Sequence, residues 1–301
     1  MCGEYMNGVL IVDKPSQFTS FDVVAVVRKL SGQRKIGHTG TLDPNATGVL
    51  PLLLGNATRA QDIILNHDKE YVAEFKLGVT TDTLDIWGEV KSEKKSEVTQ
   101  DKIENILVKY TGEITQIPPM FSAVSVNGQR LYDLARKGVE VERKPRIITV
   151  YELELLSFDE DSQVGKLRVK CSKGTYIRTL IDDIGRELGA GAVMTALRRT
   201  TACGFEIKNA LSLDEIKKLS QNGELENKLM STESLFGDYP ELYVTDAQAK
   251  RFYNGGELDC SRTRLADSNI ADGSIYRIKG SGKFLGLGII KEGSIKVYKR
   301  F

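Results

Sequence analysis

Histidine is almost missing from this 301-residue sequence: His38 and His67 are the only two. Metal catalysis through several imidazoles is therefore nearly excluded, and no metal site is expected. The four cysteines, Cys2, Cys171, Cys203 and Cys260, are scattered and form no CxxC pair. That spacing speaks against both a zinc site and a disulfide framework, so the thiols read as free. No apolar run is long enough to cross a bilayer. The segment Met1 to Asp13 has a short apolar run, Gly8 to Val12, but neither a basic leader nor a small-residue cleavage site. The expected location is the cytoplasm, away from membranes. Neither sign of charge is in excess, with 42 Lys and Arg against 41 Asp and Glu, a net charge of +1. A nucleic-acid partner would have to be held by a local basic surface.

A hydrophobic fraction of 41% and a charged fraction of 28% are those of an ordinary globular chain, long enough for one large domain and a smaller one. Gly8 to Val12 and Val49 to Leu54 read as buried strands. Between them, Thr19 or Ser20 caps a helix with Val23, Val24, Val27 and Leu30 on one face, and Gly32 ends it. Residues 57 to 66 read as a short helix, Tyr71 to Leu77 as an alternating strand, and Ile103, Ile106, Leu107 and Tyr110 as the buried stripe of a helix begun near Thr99. Leu167, Val169 and Cys171 mark a half-buried strand, and Tyr176 to Leu188 a helix closed by Gly189. The charges from Lys91 to Lys95 alternate in sign with those nearby and read as a solvated connection. Gly237 and Pro240 follow the last clear helical pattern, Leu211 to Leu219. The boundaries are therefore 1–235 for a large domain and 241–301 for a small one, the latter with the short alternating stretches of a β-barrel. Helices and strands interleave without a strict βαβ rhythm, which predicts an α/β (mixed α+β) fold rather than a doubly wound one.

Chemistry concentrates in the loop from His38 to Gly48. Its glycines permit close backbone approach, and Pro44 biases Asp43 toward an extended conformation that presents the carboxylate outward. Alone, Asp followed by Pro is an ordinary turn. The surrounding string, Gly37 to Arg59 (GHTGTLDPNATGVLPLLLGNATR), resembles the signature of the bacterial tRNA pseudouridine-55 synthase family, the TruB type. The resemblance extends to Gly8 to Ser20, to Tyr71 and its strand, to Pro118 to Arg136 (PPMFSAVSVNGQRLYDLAR), to Lys173 to Leu180 (KGTYIRTL) and to Met194 to Arg199. It departs from the family at Gln17, where glycine is usual, and at Ser125, where lysine is usual.

The resemblance implies a catalytic domain with a central mixed, largely antiparallel sheet and a PUA-like RNA-binding tail from about Tyr243. It implies an enzyme that isomerises uridine 55 in the T loop of tRNA, flipping the base out, as a monomer without cofactor, metal or guide RNA. Asp43 matches the family's nucleophile, which attacks the uracil ring or the ribose C1′, unless a glycal route is followed. Arg178 matches the arginine that pairs with that aspartate, where a guanidinium can fork onto both oxygens. Read by periodicity alone, Arg178 would make a surface ion pair beside Asp182 and Asp183. Tyr71 matches the tyrosine that stacks on the target base and is a candidate base toward the ribose. Tyr176 and Leu197 match the lining of the uracil pocket, and His38 the histidine that helps hold the T loop. Lys14, Arg59, Arg198, Arg199, Lys144 and Arg146 are candidate phosphate contacts.

Overall fold

The structure, a computed structural model, describes residues 5–64, 68–126, 128–266 and 270–301. Its centre is a nine-stranded sheet among the described residues. The main path runs Gly8–Lys14, Thr47–Leu54, Ala192–Ala202, Lys69–Leu77, Val164–Cys171, Arg146–Asp159, Gly112–Gln116. Ile36–His38 adds to Thr47–Leu54, and Phe205–Glu206 to Ala192–Ala202. All these pairings are antiparallel except one short parallel contact, where Thr47 and Gly48 lie beside Arg198 and Arg199. The sheet is mixed and largely antiparallel, as the sequence led us to expect. At the parallel contact Gly48 has φ 106, and a Cβ there would stand 2.2 Å from the Arg199 carbonyl oxygen. Only glycine lets the two strands approach at this point.

The continuous apolar runs are explained by burial on both faces. Leu10, Val12, Leu50 and Leu52 pack against Val23, Val24 and Val27 of the helix Ser20–Ser31, while Val9, Ile11, Val49 and Leu53 face a second cluster with Leu235 and Phe236. That helix starts at a capping box between Thr19 and Asp22 and stops at Gly32, φ 67. The strand Lys69–Leu77 alternates instead, turning Tyr71, Ala73, Phe75 and Leu77 toward a third cluster beneath the helices Gln100–Leu107 and Ile177–Glu187.

Two local readings change. Residues 57 to 66 do not form one helix: Gly55–Ala60 is a 3₁₀ turn followed by a single α turn, Gln61–Ile64, and residues 65 and 66 lie outside the described residues. Gly55 leaves the strand at φ 60, packed against the backbone and side chain of Met6 and Asn7, which tightens the turn. The charge run at Lys91 is a strand, Val90–Glu93, paired with Val79–Thr81 and exposed along its length. Its lysines make local ion pairs, Lys91 with Glu89 at 3.1 Å and Lys95 with Glu97.

After Pro240, five strands run in the order Glu241–Tyr243, Ile275–Gly280, Lys283–Lys291, Ser294–Arg300, Leu258–Asp259. The outer two do not pair among the described residues, so the unit is a curled half-barrel and not a closed one. It shares an apolar cluster with the large sheet: Phe284, Leu287 and Phe301 pack with Phe236, Ala57, Ala60 and Ile64. Phe301 and Phe236 have ring centroids 5.1 Å apart, and Lys299 pairs with Asp62 at 2.7 Å.

Candidate active site

Asp43 is lifted out of the core by its neighbours. Leu42 and Ala46 on either side are buried at 3% and 2% exposure, and the Ala46 N–H closes a turn on the Asp43 carbonyl at 3.1 Å. The Ser20 hydroxyl accepts from the Leu42 N–H at 2.9 Å and donates to the Leu42 carbonyl at 3.4 Å. The Lys14 ammonium donates to the Pro44 carbonyl at 2.9 Å. With the backbone tied on both sides, the Asp43 side chain is left 41% exposed.

Arg178 comes from the first turn of the helix Ile177–Glu187 and is almost wholly buried, not on the surface where periodicity alone would put it. Nor does it fork onto the carboxylate. Its Nε forms an ion pair with Asp43 Oδ2 at 3.0 Å, while its Nη1 donates to the Thr83 carbonyl at 2.9 Å and its Nη2 to the Phe121 carbonyl at 2.9 Å. Asp85 lies behind it, 3.9 Å from Nη1. One carboxylate oxygen is thus paired with a guanidinium that is itself fixed by two backbone carbonyls. The helix start is anchored by Gln116, which accepts from the Tyr176 N–H at 2.8 Å and donates to its carbonyl at 3.1 Å.

Asp43 and Arg178 border a cavity of about 270 Å³ lined also by Thr39 to Leu42, Lys69, Tyr71, Ser122, Ala123, Lys173 to Ile177, Leu197 and Arg199. The structure therefore brings together Asp43, Tyr71, Tyr176, Arg178 and Leu197. Adjacent strands place Tyr71 and Leu197: Leu197 pairs with Ala73, and Tyr71 with Arg199. Burial raises the Tyr71 phenol above its usual pKa, against the opposing pull of the Arg199 cation. A phenol held neutral offers a face and a donor more readily than a proton acceptor. The Ser122 hydroxyl on the same wall is buried and has no hydrogen-bond partner among the described residues.

The remaining expected contacts fare differently. Lys14 is buried, and its ammonium is shared among the carbonyls of Pro15, Phe18 and Pro44, which ties down the loop that carries Asp43. Burial lowers its pKa to about 8, with Asp43 opposing. Arg199 is likewise buried, donating to the Val49 carbonyl at 2.7 Å and the Gly40 carbonyl at 3.2 Å. Arg198 is engaged by Asp13 through both nitrogens, at 2.8 and 3.2 Å. Arg59 is exposed on the 3₁₀ turn at the end of the Thr47–Leu54 strand, outside the cavity lining. Lys144 and Arg146 are exposed. Ser125 is exposed on a short hairpin and pairs with Arg130. Thr83, Asp85, Gln116 and Phe121 were not foreseen. Thr83 and Phe121 act through backbone carbonyls, Gln116 through a lone amide and Asp85 through a carboxylate at 3.9 Å, none of which leaves a pattern in the sequence.

Gln17 occupies the turn wrapped around the Lys14 ammonium and adopts φ 66, a left-handed conformation that glycine adopts without strain. Gln17→Gly should therefore raise stability by about 0.5–1 kcal/mol, read as a higher denaturation midpoint at unchanged slope. A lower midpoint would show that the exposed side chain contributes more than the backbone strain costs.

His38 is buried beside the loop rather than in the cavity wall, its Nδ1 accepting from the Gly40 N–H at 3.3 Å and its ring edge-on to Phe21 at 5.2 Å. Burial first, and the Arg199 cation second, push its pKa below the usual imidazole value. The unfolded chain therefore takes up this proton near pH about 6.5 while the folded one resists it, so stability is lost as pH falls below about 6.5. His38→Asn should flatten the melting temperature across that acid window. An unchanged pH profile would refute the assignment.

The fold and this cavity define a pseudouridylate synthase. Residues 28–177 match the family pattern described as TruB family pseudouridylate synthase (N terminal domain), and residues 178–236 that of the tRNA pseudouridylate synthase B C-terminal domain. The chain belongs to the TruB family. It is 42% identical to the tRNA pseudouridine synthase B of Clostridium tetani (strain Massachusetts / E88), over 98% of this chain and 99% of that one. It is 43% identical to the tRNA pseudouridine synthase B of Francisella philomiragia, over 98% and 95% of the two chains. Among solved structures it resembles a chain of an H/ACA RNP bound to a substrate RNA containing 2′-deoxyuridine, with TM-score 0.75 and 26% identity over 98% of this chain and 85% of that one. A chain of a Cbf5-Nop10-Gar1 complex is similar, with TM-score 0.74 and 28% identity over 98% and 85%.

Proposed function

We propose that this protein isomerises uridine 55 in the T loop of tRNA to pseudouridine, with Asp43 as nucleophile. The observation that carries the reading is the half-exposed Asp43 carboxylate, held at one oxygen by a buried arginine and facing a cavity lined by Tyr71 and Leu197. The reaction breaks the N-glycosidic bond, turns the uracil and rejoins it through carbon. Nothing is consumed, so no cofactor is called for. The detached base must be kept between the two steps, and a carboxylate that can form a temporary bond, to the ring or to C1′, serves that end. Arg178 keeps the carboxylate oriented in a partly dry site.

The cavity accommodates one nucleobase, so the target uridine enters it flipped out of the loop. Tyr71 offers a stacking face, and the unpaired Ser122 hydroxyl a hydrogen bond. Exposed Arg59, Lys144 and Arg146 supply phosphate contacts. The half-barrel, residues 241–301, serves as a PUA-like unit that adds affinity for the tRNA body, while residues 1–235 carry the chemistry. The relatives named tRNA pseudouridine synthase B favour tRNA as the substrate. In this reading the tRNA is bound by a monomer without guide RNA.

Purified protein incubated with an unmodified tRNA transcript, without guide RNA and with EDTA after the RNA has folded, should place pseudouridine at the T-loop position alone. Product at another position, or product only after adding a metal or a second RNA, would overturn the reading.

A further inference from the structure

Phe21 is 65% exposed on the first turn of the helix Ser20–Ser31, off the buried stripe of Val23, Val24 and Val27. A lone exposed phenylalanine needs no explanation by itself. Its connections set this one apart. The preceding residue, Ser20, holds both backbone polar groups of Leu42, next to Asp43. The ring stands edge-on to His38, with centroids 5.2 Å apart and planes at 83°, and His38 leads directly into Thr39 on the cavity wall. The helix start is fixed by reciprocal bonds between Thr19 and Asp22. An aromatic ring is thus held rigidly in water, two short links from the carboxylate.

Drawing one base out of a folded RNA loop leaves its neighbours without a stacking partner. We propose that Phe21 stacks on a nucleobase flanking the target uridine and so holds the opened loop over the cavity. The inference rests on the proposed RNA substrate and adds to it a residue that reads the RNA beside the target. An aromatic face is required, because stacking acts on the π surface of the base and not on apolar bulk alone.

The test is a set of Phe21 variants assayed with a T-arm hairpin for Kd, KM and saturating single-turnover rate. Phe21→Ala and Phe21→Leu should each weaken Kd and KM by about 5- to 100-fold, the range expected for losing one base stack. The saturating rate should fall much less, and Phe21→Trp should restore affinity to within about twofold of wild type. Melting temperatures should not move, since the side chain is mostly in water. Wild-type binding by Phe21→Ala, with wild type itself active on the hairpin, would overturn the stacking role alone. Wild-type affinity of Phe21→Leu would show that bulk suffices and would overturn it too. If wild-type protein neither binds nor modifies the hairpin, the RNA reading fails and this inference with it.

Discussion

Asp43→Asn is expected to abolish pseudouridine formation while leaving the protein folded and its RNA affinity nearly unchanged. The amide is isosteric, and its oxygen can take the place of Oδ2 beside Arg178 Nε, 3.0 Å away. The loop is held by Leu42, Ala46, Ser20 and Lys14 rather than by the carboxylate, so its geometry should persist. What is lost is nucleophilicity, and removing a nucleophile of this kind costs about 10⁴-fold or more in turnover. Single-turnover assays on tRNA, with melting curves and binding isotherms for the same preparation, separate the effects. Turnover within about tenfold of wild type would sink the assignment of Asp43.

Arg178→Lys should cost both activity and stability, because no single ammonium can replace three separately directed nitrogens. One amine could satisfy Asp43 or the carbonyls of Thr83 and Phe121, but not all of them, and Asp85 would lose the cation 3.9 Å away. Breaking a buried pair costs about 3–5 kcal/mol, and the partial exposure of Asp43 reduces that here to about 2–3 kcal/mol. Turnover should fall by about 10²- to 10³-fold, since a carboxylate misaimed by an ångström attacks poorly. Activity should be measured well below the variant's melting temperature so that unfolding does not stand in for chemistry. A variant that is destabilised yet turns over normally would leave Arg178 a structural role only.

The sequence made some of this arrangement legible and hid the rest. Burial on both faces turned Gly8 to Val12 and Val49 to Leu54 into continuous apolar runs, and Thr19 and Gly32 marked the ends of the helix between them. The fourteen-residue strand Arg146–Asp159 escaped because much of it is exposed and its polar and apolar residues follow no sustained alternation. Asp43, Tyr71, Arg178 and Leu197 stood out by resemblance, not periodicity.

The split between reach and burial was also invisible in one dimension. Lys14 and Arg199 look like surface cations and are struts inside the loop, because their acceptors are carbonyls, and a carbonyl is present at every residue. Resemblance in the sequence alone identified the family and singled out Asp43. Tertiary structure decided that Arg178 grips one oxygen of Asp43 while Thr83 and Phe121 hold the guanidinium, and that the tail shares an apolar cluster with the large sheet. Those contacts join residues far apart in the chain through backbone atoms and packing surfaces, neither of which residue type or spacing records.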